Sequence, residues 1–311
     1  MKKILMAIML MVLLLPFSMD AQLKANYAQQ AEFLPGYLFR PLTDCEDFTF
    51  QNALLQKINE NPKLRNLAKQ EKLAVGLVDL SNPYDVKYGQ INGELMMYAA
   101  SLPKIAVLLA AEDALHKGEL KPTKEVLTDM RLMIAKSNNQ ATTRMIDRLG
   151  YKKIASVLKD PNYNLYNEDR GGGLWVGKRY AASGPRFPDP MKGLSHAATV
   201  EQVCRFYYML AFGKLVSPER SQHMLEMMGE PELHHKFVNT LDRVAPDANV
   251  YRKSGSWKTF HSDSAMVFGE NWRKYILVAL VDDAEGEQIM REMVILAEEV
   301  LQERQPMAMD R

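Results

Sequence analysis

The chain has 311 residues, 47% of them hydrophobic and 25% charged, with a formal net charge of +1. That is the balance of an ordinary globular protein long enough to bury a sizeable core. It offers no basic footprint for nucleic acid or an anionic membrane surface. The six histidines form no His-x-His or His-x-x-x-His pair, so the sequence points to no zinc hydrolase and to no cofactor.

Lys2 and Lys3 precede an unbroken apolar run over residues 4–15, followed by Pro16 and small or polar residues. This pattern predicts a secretory signal peptide over residues 1–21, with cleavage after Ala21 or Ala25. The run is shorter than the roughly 20 residues a membrane-spanning helix needs, and no Cys lies near its end to accept a lipid. The mature protein is therefore expected to be exported, periplasmic or extracellular, without a lasting membrane span. Cys45 and Cys204 are the only cysteines; export would allow a bridge, and two separate buried thiols fit equally well.

Residues 22–44 read as an approach segment. Over residues 47–70 the spacing of Phe50, Leu54, Leu55 and Ile58 predicts a helix or helix pair. Residues 73–80, LAVGLVDL, predict a buried strand, Ser81-Asn82-Pro83 a turn, and residues 85–95 a second, more polar strand of a hairpin. From Ser101 helical periodicity dominates for about 140 residues. It is broken over 160–198 by a long irregular stretch rich in Gly, Pro, Asn and Asp. Strands are predicted again at 250–257, 264–268 and 275–281, then an amphipathic helix at 287–303 and a short tail over 304–311. Two early and three late strands joined antiparallel would give an α+β fold. Its sheet has about five strands, with helices from both ends of the chain and an inserted helical lobe over about 101–243. The whole domain spans 45–303, and the cleft between sheet and lobe is the natural place for a site.

Three short patterns in this frame carry chemistry. Ser101 and Lys104 stand three apart where a helix begins, so the ammonium shares a face with the hydroxyl. A desolvated lysine can take a serine proton at neutral pH, and the helix start supplies amides for a developing oxyanion. Ser137 and Asn139 fall between two helices, where a capping role is the plain alternative. Lys253-Ser254-Gly255-Ser256 lies on a predicted strand, where glycine admits close backbone approach. Each alone is common.

Together, in this order, they match the Ser-x-x-Lys, Ser-x-Asn and Lys-Thr-Gly set of class A β-lactamases and penicillin-binding proteins. The chain thus resembles the class A β-lactamase-like branch of the penicillin-recognising serine hydrolases. Residues 196–202, residues 215–218 and Asp263 with the last two strands extend the likeness over about 45–303. The resemblance implies that Ser101 is the acylated nucleophile and Lys104 its base. It makes Ser137 the proton relay to the leaving nitrogen and Asn139 the holder of the substrate's amide side chain. Lys253 and Ser254 would bind a substrate carboxylate, and the amides of Ser101 and Ser256, beside Gly255, would form an oxyanion hole. The partner implied is a small β-lactam or a peptidoglycan stem peptide, handled by a monomer. A D,D-peptidase-like enzyme or a catalytically weak penicillin-binding protein is the neighbouring expectation.

Four departures stand out. Ser254 replaces the usual Thr, Asn138 replaces the Asp of the Ser-Asp-Asn triplet, and the interval from Ser101 to Ser137 is short. The irregular stretch also lacks the Glu-x-x-Leu-Asn element that carries the deacylating Glu in class A enzymes; Glu168 and Asp169 are the only acidic pair near that place.

Overall fold

Asn61 and Pro62 divide the first helical segment. The computed structural model describes residues 33–303; the signal-peptide reading and the tail lie outside the described residues. Helix α1, Phe48–Glu60, opens on Asp47, whose carboxylate accepts from Phe50 N at 2.8 Å. Helix α2, Pro62–Lys69, opens on Asn61, whose side chain accepts from the amides of Lys63 and Leu64. Proline is tolerated at that first position because its missing N–H would have had no helical partner, and it ends the preceding helix by restricting Asn61.

Strand β1, Leu73–Asp79, is buried along its whole length. It pairs antiparallel with β2, Lys87–Ile91, on one side and with the late strand β10, Lys274–Asp282, on the other. Between β10 and the sheet edge run β9, Phe260–Phe268, and β8, Asn249–Trp257, giving a five-stranded sheet in the order β2-β1-β10-β9-β8. The early hairpin thus joins the late strands in one antiparallel α+β sheet. Leu73, Val75 and Leu77 share a core with Phe50, Leu54 and Ile58 of α1 and with Met290 and Met293 of the closing helix. On the other face Gly76 meets Cys204, whose sulfur would lie 2.6 Å from any added Cβ. Cys45 instead faces the Tyr208 hydroxyl at 3.6 Å, and both thiols are free and buried.

Strand β9 begins four residues earlier than the pattern predicts, because Ser262 and Asp263 read as loop while serving as buried partners of other elements. Strand β2 ends early, at Ile91, where Asn92 turns left-handed at φ +52° and its amide donates to the carbonyls of Ala68 and Leu73.

The short strand β3, Met97–Tyr98, leads into helix α3, Lys104–His116, which is buried from Lys104 to Leu115. A helix enclosed on every side is apolar all round, as the run from Ile105 to Ala111 is. Helices α4 (Lys124–Ala135), α5 (Asn139–Leu149) and α6 (Tyr151–Leu158) pack against it. The stretch predicted as irregular carries three short strands, β4 (Tyr166–Asn167), β5 (Gly172–Gly173) and β6 (Trp175–Val176), and returns through β7, His196–Ala198. Strands β3, β7 and β6 form a small sheet. Helices α7 (Val200–Ala211), α8 (Pro218–Met228) and α9 (Phe237–Val244) lead back to β8, and α10, Gly286–Gln302, closes the chain against the sheet. Among the described residues no helix is long and apolar enough to cross a membrane.

Candidate active site

Ser101 lies in a tight turn just ahead of α3 rather than inside it. Lys104 N donates to Ser101 O at 3.3 Å and Leu102 N to Ala99 O at 3.0 Å, a winding tighter than an α-helix that still sets Lys104 one turn beyond Ser101. Pro103 occupies the cap position and no side chain caps this helix; Ser101 is not spent on capping. Ala100 takes φ +49°, a conformation costing about 1–3 kcal/mol away from glycine and held by its surroundings. Three anchors hold the turn: Ser262 Oγ donates to Ala99 O (2.8 Å), Ala99 N donates to His196 O (2.9 Å), and Tyr180 OH donates to Ala100 O (3.1 Å).

Lys104 is fully buried. Its ammonium donates to Ser137 O (2.6 Å), Ser137 Oγ (3.2 Å) and Asn139 Oδ1 (2.8 Å), and stands 4.5 Å from the centre of the Tyr180 ring. Burial draws it down to about 7, so the free amine is well populated near neutral pH.

Ser137 sits between α4 and α5 at φ +52°. Helix α5 is capped by Asn138, whose side chain accepts from Ala141 N at 2.8 Å, so the Ser137 hydroxyl is left for the site. That hydroxyl receives Lys253 Nζ at 2.9 Å as well as Lys104. Lys253 also donates to Ser254 O at 2.7 Å. Burial, and then the neighbouring Lys104 and Arg252 charges, push the Lys253 ammonium well below its ordinary value.

Strand β8 meets the Ser101 turn at Gly255. A Cβ there would fall 2.5 Å from Ser101 N and Ala99 O and 2.8 Å from Leu102 N, all backbone atoms. Only glycine permits this approach. Ser254 is buried opposite Asp263 in the ladder, while Ser256 and Trp257 are exposed at the end of the edge strand. The structure therefore gathers Lys104, Ser137, Asn139 and Lys253 through direct hydrogen bonds and brings Ser101 and Gly255 into backbone contact. Glu168 is elsewhere engaged: it pairs with Lys159 at 3.1 Å with its side chain 56% exposed.

Sequence reasoning alone left four contributors without a role. Arg252 forms a two-pronged pair with Asp263 (Nε to Oδ1 and Nη2 to Oδ2, both 2.7 Å), which holds β8 against β9. A charged residue beside Lys253 in a buried strand called for such a carboxylate on the neighbouring strand. Tyr180 and His196, with ring centres 4.2 Å apart, wall the Lys104 side. His196 donates Nε2–H to Lys178 O at 3.0 Å, and burial lowers it to about 4, so it is neutral. Lys236, buried beneath β8, is the fourth. Tyr180 and Lys236 carry no sequence signal, because loop geometry alone delivers them.

Residues 126–303 match the Beta-lactamase enzyme family, more than half of the chain, and the chain belongs to that family. Among solved structures it is similar to a β-lactamase from Sphaerobacter thermophilus, at 16% identity over 82% of this chain and 98% of that one, TM-score 0.63. It is also similar to PBP-A, at 18% identity over 83% and 97%, TM-score 0.60. A class A β-lactamase representative from Bacteroides cellulosilyticus matches at 16% identity over 83% and 100%, TM-score 0.61. At these identities the likeness establishes the fold. No curated protein matches the chain.

Proposed function

We propose that the protein is an exported serine hydrolase, with a catalytic domain over residues 45–303, that is acylated on Ser101 by β-lactams or related D-alanyl amides. The observation that carries this reading is the convergence of two buried lysines, Lys104 and Lys253, on one hydroxyl, Ser137 Oγ, at 3.2 and 2.9 Å. No carboxylate forms an ion pair with either lysine among the described residues, an arrangement that is costly unless an anion or a proton transfer uses it. The leader read over residues 1–21 supports export, and a variant of the neighbour PBP-A forms an acyl-enzyme with penicillin G.

In the free-amine state Lys104 keeps two N–H bonds, to Ser137 O and Asn139 Oδ1, and has a lone pair for the Ser101 proton. Attack of Ser101 Oγ on the carbonyl carbon forms the acyl bond and breaks the amide. The proton passes from Lys104 through Ser137 Oγ to the leaving nitrogen. A general base of this kind contributes about 10²–10⁴ in rate. The backbone amides of Ser101 and Ser256 receive the oxyanion, a contribution of roughly 2.7–4 kcal/mol per donor. Lys253, with Ser254, receives the substrate carboxylate, which restores the ammonium form that burial disfavours. Asn139 fixes Lys104 with its oxygen and offers its NH2 to the substrate.

A slow acyl-enzyme of the D,D-peptidase or penicillin-binding kind is the second reading, favoured by the surface position of Glu168. Incubation of the mature protein with a fluorescent penicillin tests the common step. The label is expected on Ser101 and is expected to vanish in a folded Ser101→Ala variant. A label that persists on that variant, or a wild type that takes none, overturns the assignment.

A further inference from the structure

Lys236 is fully buried, immediately ahead of α9 at φ +55°, and no step above uses it. Its ammonium forms no ion pair among the described residues. It donates to two backbone carbonyls, Gly255 O at 2.5 Å and Ser262 O at 3.0 Å. These residues face one another across the β8–β9 ladder. The Asp263 carboxylate nearby is committed to Arg252 and to Phe237 N. Burying an ammonium without a counter-charge costs several kcal/mol, and an apolar side chain of similar volume is often the more stable occupant. Stability therefore does not account for the lysine.

Its acceptor does. The peptide joining Gly255 to Ser256 is trans, as are all peptides of the described chain, so its C=O and N–H point in opposite directions. The carbonyl of Gly255 faces Lys236. The N–H of Ser256 therefore faces the opposite way, at the open edge of the last strand of the sheet. A cation on the oxygen draws electron density through the amide resonance and makes the N–H a stronger donor, since linked hydrogen bonds polarise one another. It also fixes the peptide plane, and an oxyanion hole depends on donors held in place before charge develops.

We infer that Lys236 is a positioning residue for the oxyanion hole, its ammonium orienting and polarising the Gly255–Ser256 peptide so that Ser256 N–H binds the developing oxyanion. This rests on the reading that Ser101 is acylated and Ser256 N–H is an oxyanion donor. Lys236 touches no substrate atom and transfers no proton.

The test compares wild type with Lys236→Met and Lys236→Gln, the latter keeping a donor without the charge. Stopped-flow acylation by a penicillin separates non-covalent binding from the acylation step, and infrared difference spectra report the ester carbonyl of the acyl-enzyme. Weakening one donor rather than deleting it is expected to slow the acylation step about 10- to 100-fold. Initial binding is expected within twofold of wild type, and the carbonyl stretch is expected at higher wavenumber. A folded variant that acylates at the wild-type rate with an unshifted carbonyl, or that loses only initial binding, overturns the inference. Should neither variant fold, the wild type decides: the Ser256 amide-proton shift must follow the ammonium titration observed at Lys236 ¹⁵Nζ, and a flat amide shift overturns it. A wild type that takes no acyl group overturns the function proposed above, an outcome distinct from all of these.

Discussion

The Lys104 ammonium stands 4.5 Å from the centre of the Tyr180 ring, and the Tyr180 hydroxyl donates to Ala100 O beside Ser101. One side chain thus closes Lys104 off from water and steadies the Ser101 turn. Desolvation is what lowers Lys104 to about 7, so removing the ring should let water in and raise it toward the ordinary lysine range. Tyr180→Ala is expected to move the rising limb of the acylation pH profile upward by about 1 unit or more, whereas Tyr180→Phe leaves the limb in place and loses only the bond to Ala100. An unmoved limb in Tyr180→Ala would show that other neighbours set the Lys104 proton affinity.

Gly255 gives a sharper structural test. An added methyl would meet three backbone atoms at 2.8 Å or closer, and backbone has no rotamer by which to yield. Gly255→Ala is expected to destabilise the fold by about 1–3 kcal/mol, the usual cost of overpacking. It should also slow acylation at least tenfold by displacing Ser101 N. Chemical denaturation and stopped-flow labelling measure the two; a variant near wild type in both would show that the turn can shift freely.

These relationships also show what a sequence can carry. The sheet was legible because β1 and β10 declare themselves by apolar runs, and the short connections among the late strands leave few ways to join them. The grouping of Lys104, Ser137, Asn139 and Lys253 was an expectation of the resemblance, since each short pattern alone is common and their meeting spans 33 to 116 residues of chain. Ser262 and Asp263 misread as loop because their polarity is answered across space, by Ala99 O and by Arg252. Tyr180 arrives on a long connection whose path is set by the pairing of β6 with β7 and by the stacking of Trp175 on Phe187, at 5.7 Å. No periodicity encodes such a path.

Buried lysines and histidines set an unusual pH dependence of stability. Lys104 is held at about 7 and Lys236 at about 8 in the folded chain, below the ordinary lysine value of 10.5. Between the folded and unfolded values the unfolded chain binds more protons, so stability rises with pH across that window. Their destabilising contribution is full below pH 7 and is relieved as pH climbs toward 10.5. His196 and His235, both lowered to about 4 by burial, act the same way between 4 and 6.5. Above pH 10 the buried phenols Tyr88 and Tyr275, pushed up by burial, oppose the trend, because unfolding lets them ionise. The melting temperature is expected to climb from pH 7 to 9, with a smaller climb in Lys104→Met. A flat profile, or an equal climb in that variant, would show that Lys104 does not titrate in this range.

The last expectation concerns turnover. Acylation needs a nucleophile, a base and oxyanion donors, and Ser101, Lys104 and the amides of Ser101 and Ser256 are the candidates. Deacylation needs in addition a base that holds a water near the ester, within about 2.6–3.2 Å or through one further water. The one loop glutamate that the sequence put forward, Glu168, lies on the surface in an ion pair with Lys159, and Lys159 itself stands 5.0 Å from the ring of Tyr166. Penicillins are therefore expected to acylate readily and to leave slowly, so that intact-mass spectrometry shows an adduct lasting minutes or longer. Glu168→Gln should leave that lifetime unchanged. Rapid multiple turnover lost in Glu168→Gln, with the adduct accumulating, would mean that the loop refolds around the acyl-enzyme to deliver Glu168. Rapid turnover indifferent to that change would place the deacylating base on Lys104, lowered to about 7 by burial and hydrogen-bonded to Ser137 and Asn139.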